Sequence, residues 1–129
     1  MTQYIGVDII EIDRIRQAIV RWGDRFLSRV YTGDELKRYG NKPASLASRF
    51  AAKEAVVKAL QQTDGISWQH IEIISAANGR PLLNLYGRAK EQADNLGLAS
   101  LDISLAHSRD YAIAFVIGST GSEPTPEAP

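Results

Sequence analysis

Apolar positions dominate the start of the chain: Tyr4 to Ile10 is a short, β-branched run that predicts a strand, with Asp8 as its one charged interruption. The period then becomes helical. Asp13 is the expected cap, and Ile15, Ile19, Trp22 and Phe26 recur at spacings of four, three and four, forming one apolar stripe with Arg14, Arg21 and Arg25 beside it. Thr32 and Glu35 have the spacing of a capping box, predicting a short second helix that Gly40 ends. After Pro43 comes the longest helical segment, Ala44 to Gln62, rich in Ala, Leu and Lys and free of internal Gly or Pro.

From Ser67 the period falls to two. His70 to Ala76 is a predicted strand, Asn78-Gly79 a turn and Leu82 to Tyr86 its hairpin partner. Gly87 to Asn95 reads as a helix closed by Gly97. Leu101 to His107 and Tyr111 to Ile117 then form a second hairpin around Arg109-Asp110, with His107 continuing the face of Leu101, Ile103 and Leu105. The order β-ααα-ββ-α-ββ predicts a single α+β domain over residues 1–118, its largely antiparallel sheet packed by a long helix. The remainder, 119–129, reads STGSEPTPEAP and has the composition of a disordered tail.

A length of 129 residues with 44% hydrophobic content suits one domain with a real core and is short for two. With no cysteine, disulfides, thiolate metal sites and cysteine nucleophiles are excluded. The N-terminus lacks the pattern of a signal peptide, and no run approaches the roughly 20 apolar residues of a membrane span, so a cytoplasmic protein without membrane association is the expectation. The net charge of zero hides an asymmetry. Residues 1–60 hold eleven Lys/Arg against seven Asp/Glu, and residues 61–129 hold four against eight. A basic half suits an anionic partner, either nucleic acid or an acidic protein, and the zero total favours the protein.

Four features are candidates for chemistry, and each has a plainer reading. Asp8 inside an apolar strand must be paired, hydrogen-bonded or bound to a cation, and capping the next helix would satisfy it. Glu54 and Lys58, four apart on a helix, read equally as a surface salt bridge. His107 on an apolar strand face reads as a core histidine, and the arginine stripe as a solvated helix face. Taken alone, these residues describe an anion-binding α+β domain with one buried carboxylate.

Their joint arrangement is more specific. GVDIIEIDRI at 6–15, SRFAAKEAVVKAL at 48–60, NGRP at 78–81 and SLAHSRDYAIA at 104–114 together resemble, in order and spacing, the holo-[acyl-carrier-protein] synthase family over residues 4–117. The resemblance implies transfer of 4′-phosphopantetheine from coenzyme A to a serine of an apo acyl carrier protein, for fatty acid biosynthesis, with release of adenosine 3′,5′-bisphosphate. It implies a Mg2+ ion held by Asp8 and Glu54, with Glu54 or a bound water removing the serine proton and Lys58 serving the departing phosphate.

Arg49, Lys53, Lys58, Arg80, His107 and Ser108 correspond to the family's coenzyme A contacts, with Asn78, Gly79 and Pro81 shaping the turn near the adenosine. Arg14, Arg21 and Arg25 would meet the acidic carrier protein. Short members are homotrimers with sites between subunits, so His107 is expected to reach metal ligands of another chain. Three positions depart from the family pattern. Ala106 removes a possible hydroxyl near the phosphates, Arg80 stands where lysine is common, and Ile10 occupies the place of a third carboxylate in larger relatives. A non-catalytic module that binds anions or a carrier protein on the same scaffold is the alternative, and the Asp8–Glu54 pair argues against it.

Overall fold

In a computed structural model, residues 1–121 are described. The elements are β1 (Gln3–Glu11), α1 (Ile12–Trp22), α2 (Asp24–Val30), α3 (Gly33–Tyr39), α4 (Pro43–Leu60), β2 (Ile71–Ser75), β3 (Pro81–Leu85), α5 (Gly87–Asn95), β4 (Leu98–His107) and β5 (Tyr111–Thr120). The strands form a three-stranded antiparallel sheet, ordered β1-β5-β4, and the separate hairpin β2-β3. This is the single-domain α+β architecture that the periodicities predict, with α4 as its axis.

Small residues let α4 lie close on the sheet. Ala112, Ala114 and Val116 of β5 are fully buried, as are Ala51, Ala52, Ala55 and Val56 of α4. Gly6 of β1 marks the tightest approach: a Cβ placed there would lie 1.8 Å from the Ala55 carbonyl oxygen. Strand alternation sends the other side chains outward. Ile5, Val7 and Ile9 pair across the ladder with Ile117, Phe115 and Ile113, and all but the half-buried Ile117 are exposed, so the sheet's outer face is an apolar patch.

Several expectations are corrected. The first helix is two, because Gly23 at φ +54° breaks it between Trp22 and Asp24, giving four α-helices rather than three between β1 and β2 among the described residues. Glu11, not Asp13, is the residue before α1, and Asp13 lies in the first turn. Helix α4 stops at Leu60, where Gln61 turns left-handed at φ 58°. The sheet also runs two residues past the expected boundary at Gly118. Ser119 pairs with Gln3, Thr120 N–H donates to Thr2 O at 3.0 Å, and Thr2 N–H donates to Thr120 Oγ1 at 2.8 Å. The rest of the expected disordered tail, 122–129, lies outside the described residues.

Both hairpins form where predicted, with shifted bounds: His70 ends a short 3-10 turn (Trp68–His70) before β2, β4 starts at Leu98 rather than Leu101, and the first turn is refined. Gly79 N–H donates to Ala76 O at 2.8 Å, and only Gly79, at φ +84°, takes the left-handed conformation, so this is a three-residue connection closed by a glycine. Thr32 and Glu35 form the expected capping box on α3.

Candidate active site

β1 turns Asp8 toward α4 on the face that also carries the buried Gly6 and Ile10. Facing it, α4 presents Glu54 and Lys58, four residues apart and therefore about 40° apart around the helix. The Lys58 ammonium donates to Asp8 Oδ1 at 3.0 Å and to the Val7 carbonyl at 3.0 Å. Glu54 makes no ion pair among the described residues, so the Glu54–Lys58 salt bridge suggested by the spacing is replaced by one to the strand. Partial burial holds the Glu54 carboxyl above the usual carboxylate range, the negative charge of Asp8 raises it further, and Lys58 offsets part of this.

A carboxyl group whose ionisation a neighbouring carboxylate opposes, as Asp8 opposes that of Glu54, is in the situation that a bound cation relieves. No cluster of three His, Cys, Asp or Glu side chains occurs among the described residues, and Ile10, two residues after Asp8 on the same face of β1, is buried in the core. One or two carboxylates, completed by phosphate and water oxygens, is the usual donor set of magnesium. Asp8 and Glu54 fit it.

A second group of polar residues gathers at the other end of α4. Ser48, Arg49, Ser75, Gly79, Pro81 and His107 line a cavity of about 190 Å³. Arg49 is buried, donating from Nε to Ile73 O at 3.3 Å and from Nη2 to the Ser75 hydroxyl at 2.9 Å, with its guanidinium 3.8 Å above the Tyr39 ring. His107 is exposed at the end of β4, which corrects its reading as a core histidine. Arg80 and Asn78 lie at the exposed hairpin tip: the Arg80 guanidinium is 3.9 Å from Asp102, and Asn78 Oδ1 accepts the Arg80 N–H. The Ser108 hydroxyl accepts from Tyr111 N–H at 3.2 Å and so belongs first to its own hairpin turn.

Arg49 and Glu54 are five residues apart, about 140° around the helix, so the cavity and the carboxylate pair open in different directions within one chain.

Lys53 is the clearest correction. Its side chain is fully buried, and its ammonium donates to Glu35 Oε1 at 2.8 Å, to Trp68 O at 3.0 Å and to Ile71 O. All three protons are spent inside the core, so it has none left for a phosphate. Burial pulls its pKa down, and Glu35 opposes that shift. Ala106 is corrected too. It pairs with Ile113 on the outer face of the sheet, so its missing hydroxyl faces away from the cavity that His107 lines.

The arginines of the predicted stripe are all exposed, Arg14 and Arg21 on α1 and Arg25 on α2. Arg21 stacks 4.9 Å over Trp22, and Arg25 shares a groove with Trp22, Phe26 and Arg29. Sequence reading passed over Arg29, although it lies four residues from Arg25 on one helix face.

A family model described as the 4′-phosphopantetheinyl transferase superfamily matches residues 4–116. A holo-[acyl-carrier-protein] synthase of Dehalococcoides mccartyi is 49% identical over 114 residues, covering 88% of this chain and 96% of the relative. One from Herpetosiphon aurantiacus is 47% identical over 121 residues, covering 88% and 95%. The crystal structure of Helicobacter pylori holo-[acyl-carrier-protein] synthase in complex with coenzyme A superposes with a TM-score of 0.80 at 36% identity, covering 89% of this chain and 99% of that one. The Neisseria meningitidis synthase gives 0.81 at 32% identity, covering 91% and 98%. From β1 to β5, then, this chain belongs to the 4′-phosphopantetheinyl transferase superfamily, among its holo-[acyl-carrier-protein] synthases.

Proposed function

We propose that this chain transfers the 4′-phosphopantetheine group of coenzyme A to a serine of an apo acyl carrier protein, with magnesium held between Asp8 and Glu54, in the service of fatty acid biosynthesis. The observation that carries the reading is that β1 and α4 bring Asp8, Glu54 and Lys58 together, with the Glu54 carboxyl raised by burial and by Asp8. The serine oxygen forms a bond to the phosphorus that bears pantetheine, the pyrophosphate bond breaks, and adenosine 3′,5′-bisphosphate leaves with the electron pair. Such a reaction asks the protein mainly to position groups and to neutralise charge. When bound, magnesium would supply neutralisation of the pyrophosphate oxygens. Glu54, at the edge of the carboxylate pair, would accept the serine proton, directly or through water. Lys58 is half-exposed and free to swing from Asp8 toward the leaving phosphate.

Arg49 and His107 line a cavity suited to another phosphate of coenzyme A, with Gly79 and Pro81 forming its hairpin wall and Asn78, Arg80 and Ser108 nearby. The roughly 140° between Arg49 and Glu54 supports a site completed by two chains, where the His107 cavity of one subunit faces the carboxylates of the next. The exposed apolar face of β1 and β5 is the natural interface for a homotrimer, because a monomer would leave Ile5, Val7, Ile9, Ile113 and Phe115 in water. Arg14, Arg21 and Arg25 offer charge complementarity to an acidic carrier helix, which governs encounter rate and partner choice. No helix among the described residues is long and apolar enough to cross a membrane, in keeping with a cytoplasmic site of action.

The direct experiment incubates the protein with coenzyme A, magnesium and an apo carrier protein. A phosphopantetheine mass increment on the carrier serine supports the reading, and its absence with carriers from the same cell refutes it.

A further inference from the structure

Among the described residues β2 pairs with β3 alone, and the backbone groups of Ile71, Ile73 and Ser75 point away from the hairpin toward α3 and α4. An uncovered strand edge is costly, and here side chains cover it. Lys53 donates to Ile71 O, and Arg49 Nε donates to Ile73 O at 3.3 Å. Ile73 N–H donates to Glu35 Oε2 at 2.9 Å, and Ser75 N–H donates to Tyr39 OH at 2.9 Å. Four side chains from two helices therefore stand where a neighbouring strand would stand.

One of the four, Arg49, also lines the cavity that it shares with Gly79, Pro81 and His107. Tyr39 does not line it. Tyr39 instead holds two parts of its wall: the ring lies 3.8 Å beneath the Arg49 guanidinium, and the hydroxyl takes the N–H of Ser75, whose own hydroxyl accepts from Arg49. Arginine carries large rotamer entropy, and a guanidinium clamped on an aromatic face has less to lose when an anion arrives.

We propose that Tyr39 is a positioning residue for coenzyme A: through its ring it pre-orients Arg49 toward the cavity, and through its hydroxyl it fixes the strand that leads into the NGRP turn. This rests on the reading above that the cavity takes a phosphate of coenzyme A. Because the carboxylate pair lies on a different face of α4, the effect belongs to coenzyme A affinity and not to the chemical step.

Titration calorimetry of coenzyme A and steady-state kinetics with an apo carrier protein test this. Tyr39→Leu should weaken coenzyme A binding and raise its KM about tenfold, as expected for loss of a desolvated cation–π contact. The kcat and the carrier-protein KM should stay within about twofold. Tyr39→Phe keeps the ring and should recover most of the affinity. In an Arg49→Gln background, Tyr39→Leu should add little, because both act through one guanidinium. Should Tyr39→Leu not fold, Tyr39→Met, which fills the space without a ring, takes its place under the same expectations. A wild-type chain that neither binds coenzyme A nor transfers from it would overturn the functional reading. A working wild type whose Tyr39 variants bind coenzyme A normally, lose kcat instead, or lose affinity additively with Arg49→Gln would overturn this inference alone.

Discussion

Lys58 Nζ sits 3.0 Å from Asp8 Oδ1, fifty residues away in sequence, and not on Glu54, its neighbour one helical turn back. The lysine is thus a strand-to-helix tie that leaves the Glu54 carboxylate, among the described residues, without an ion pair beside a second acid. A pair this exposed contributes roughly 0–1 kcal/mol to stability. Lys58→Met should therefore shift thermal unfolding little while lowering turnover at least about tenfold, the size expected for a lost contact to a developing charge. Calorimetric melting and kcat measured on one preparation check both halves.

In the metal-free protein Glu54 should give magnesium binding an acid limb above the range of an ordinary carboxylate. Its folded pKa is raised, so its ionised, metal-holding form is lost as pH falls through that raised value. The linkage to stability has the opposite sign. In the metal-free protein, ionising Glu54 costs stability that accrues as pH rises from the unfolded pKa through the folded one. Glu54→Gln should then raise the neutral-pH melting temperature of the metal-free protein, and the variant's stability should lose that part of its pH dependence. Melting curves across pH with a chelator present check this.

Lys53→Met should behave as a core mutation. Removing one partner of a buried ion pair leaves Glu35 charged and uncompensated, at a cost of about 3–5 kcal/mol. Urea unfolding should show that loss, while the protein that remains folded at low temperature binds coenzyme A within about threefold of wild type, since Lys53 does not line the cavity.

Gly6→Ala should separate the carboxylates without touching either. The added methyl meets the Ala55 carbonyl oxygen, so β1 must move from α4, at an overpacking cost of about 1–3 kcal/mol or more. Turnover should fall together with stability, and a rise in the magnesium concentration needed for half-maximal rate distinguishes displacement of Asp8 from general unfolding.

Much of this was legible in the chain because local rules and the fold agree. The Thr32–Glu35 box, the Gly87–Asn95 helix and both hairpins each follow from a few adjacent residues. What escaped depends on contacts between distant segments. Periodicity cannot show that Glu35, having capped α3, spends its other oxygen on Ile73 N–H, or that Lys53 fills the interior beside it. Spacing did hold one overlooked signal. Arg49 and Lys53 are four apart, as are Glu54 and Lys58, so the two cations share one face of α4 and the site pair another, which already separates Lys53 from Glu54. The break at Gly23 was hidden because the apolar stripe continues across it.

The most direct test of the central claim is turnover against magnesium concentration for Asp8→Asn, Glu54→Gln and the double variant. If both carboxylates hold one ion, each single variant folds, loses most of its turnover and needs more magnesium, and the double variant is little worse than the weaker single. Near-wild-type turnover by Glu54→Gln at limiting magnesium would remove Glu54 from the metal site and contradict this account.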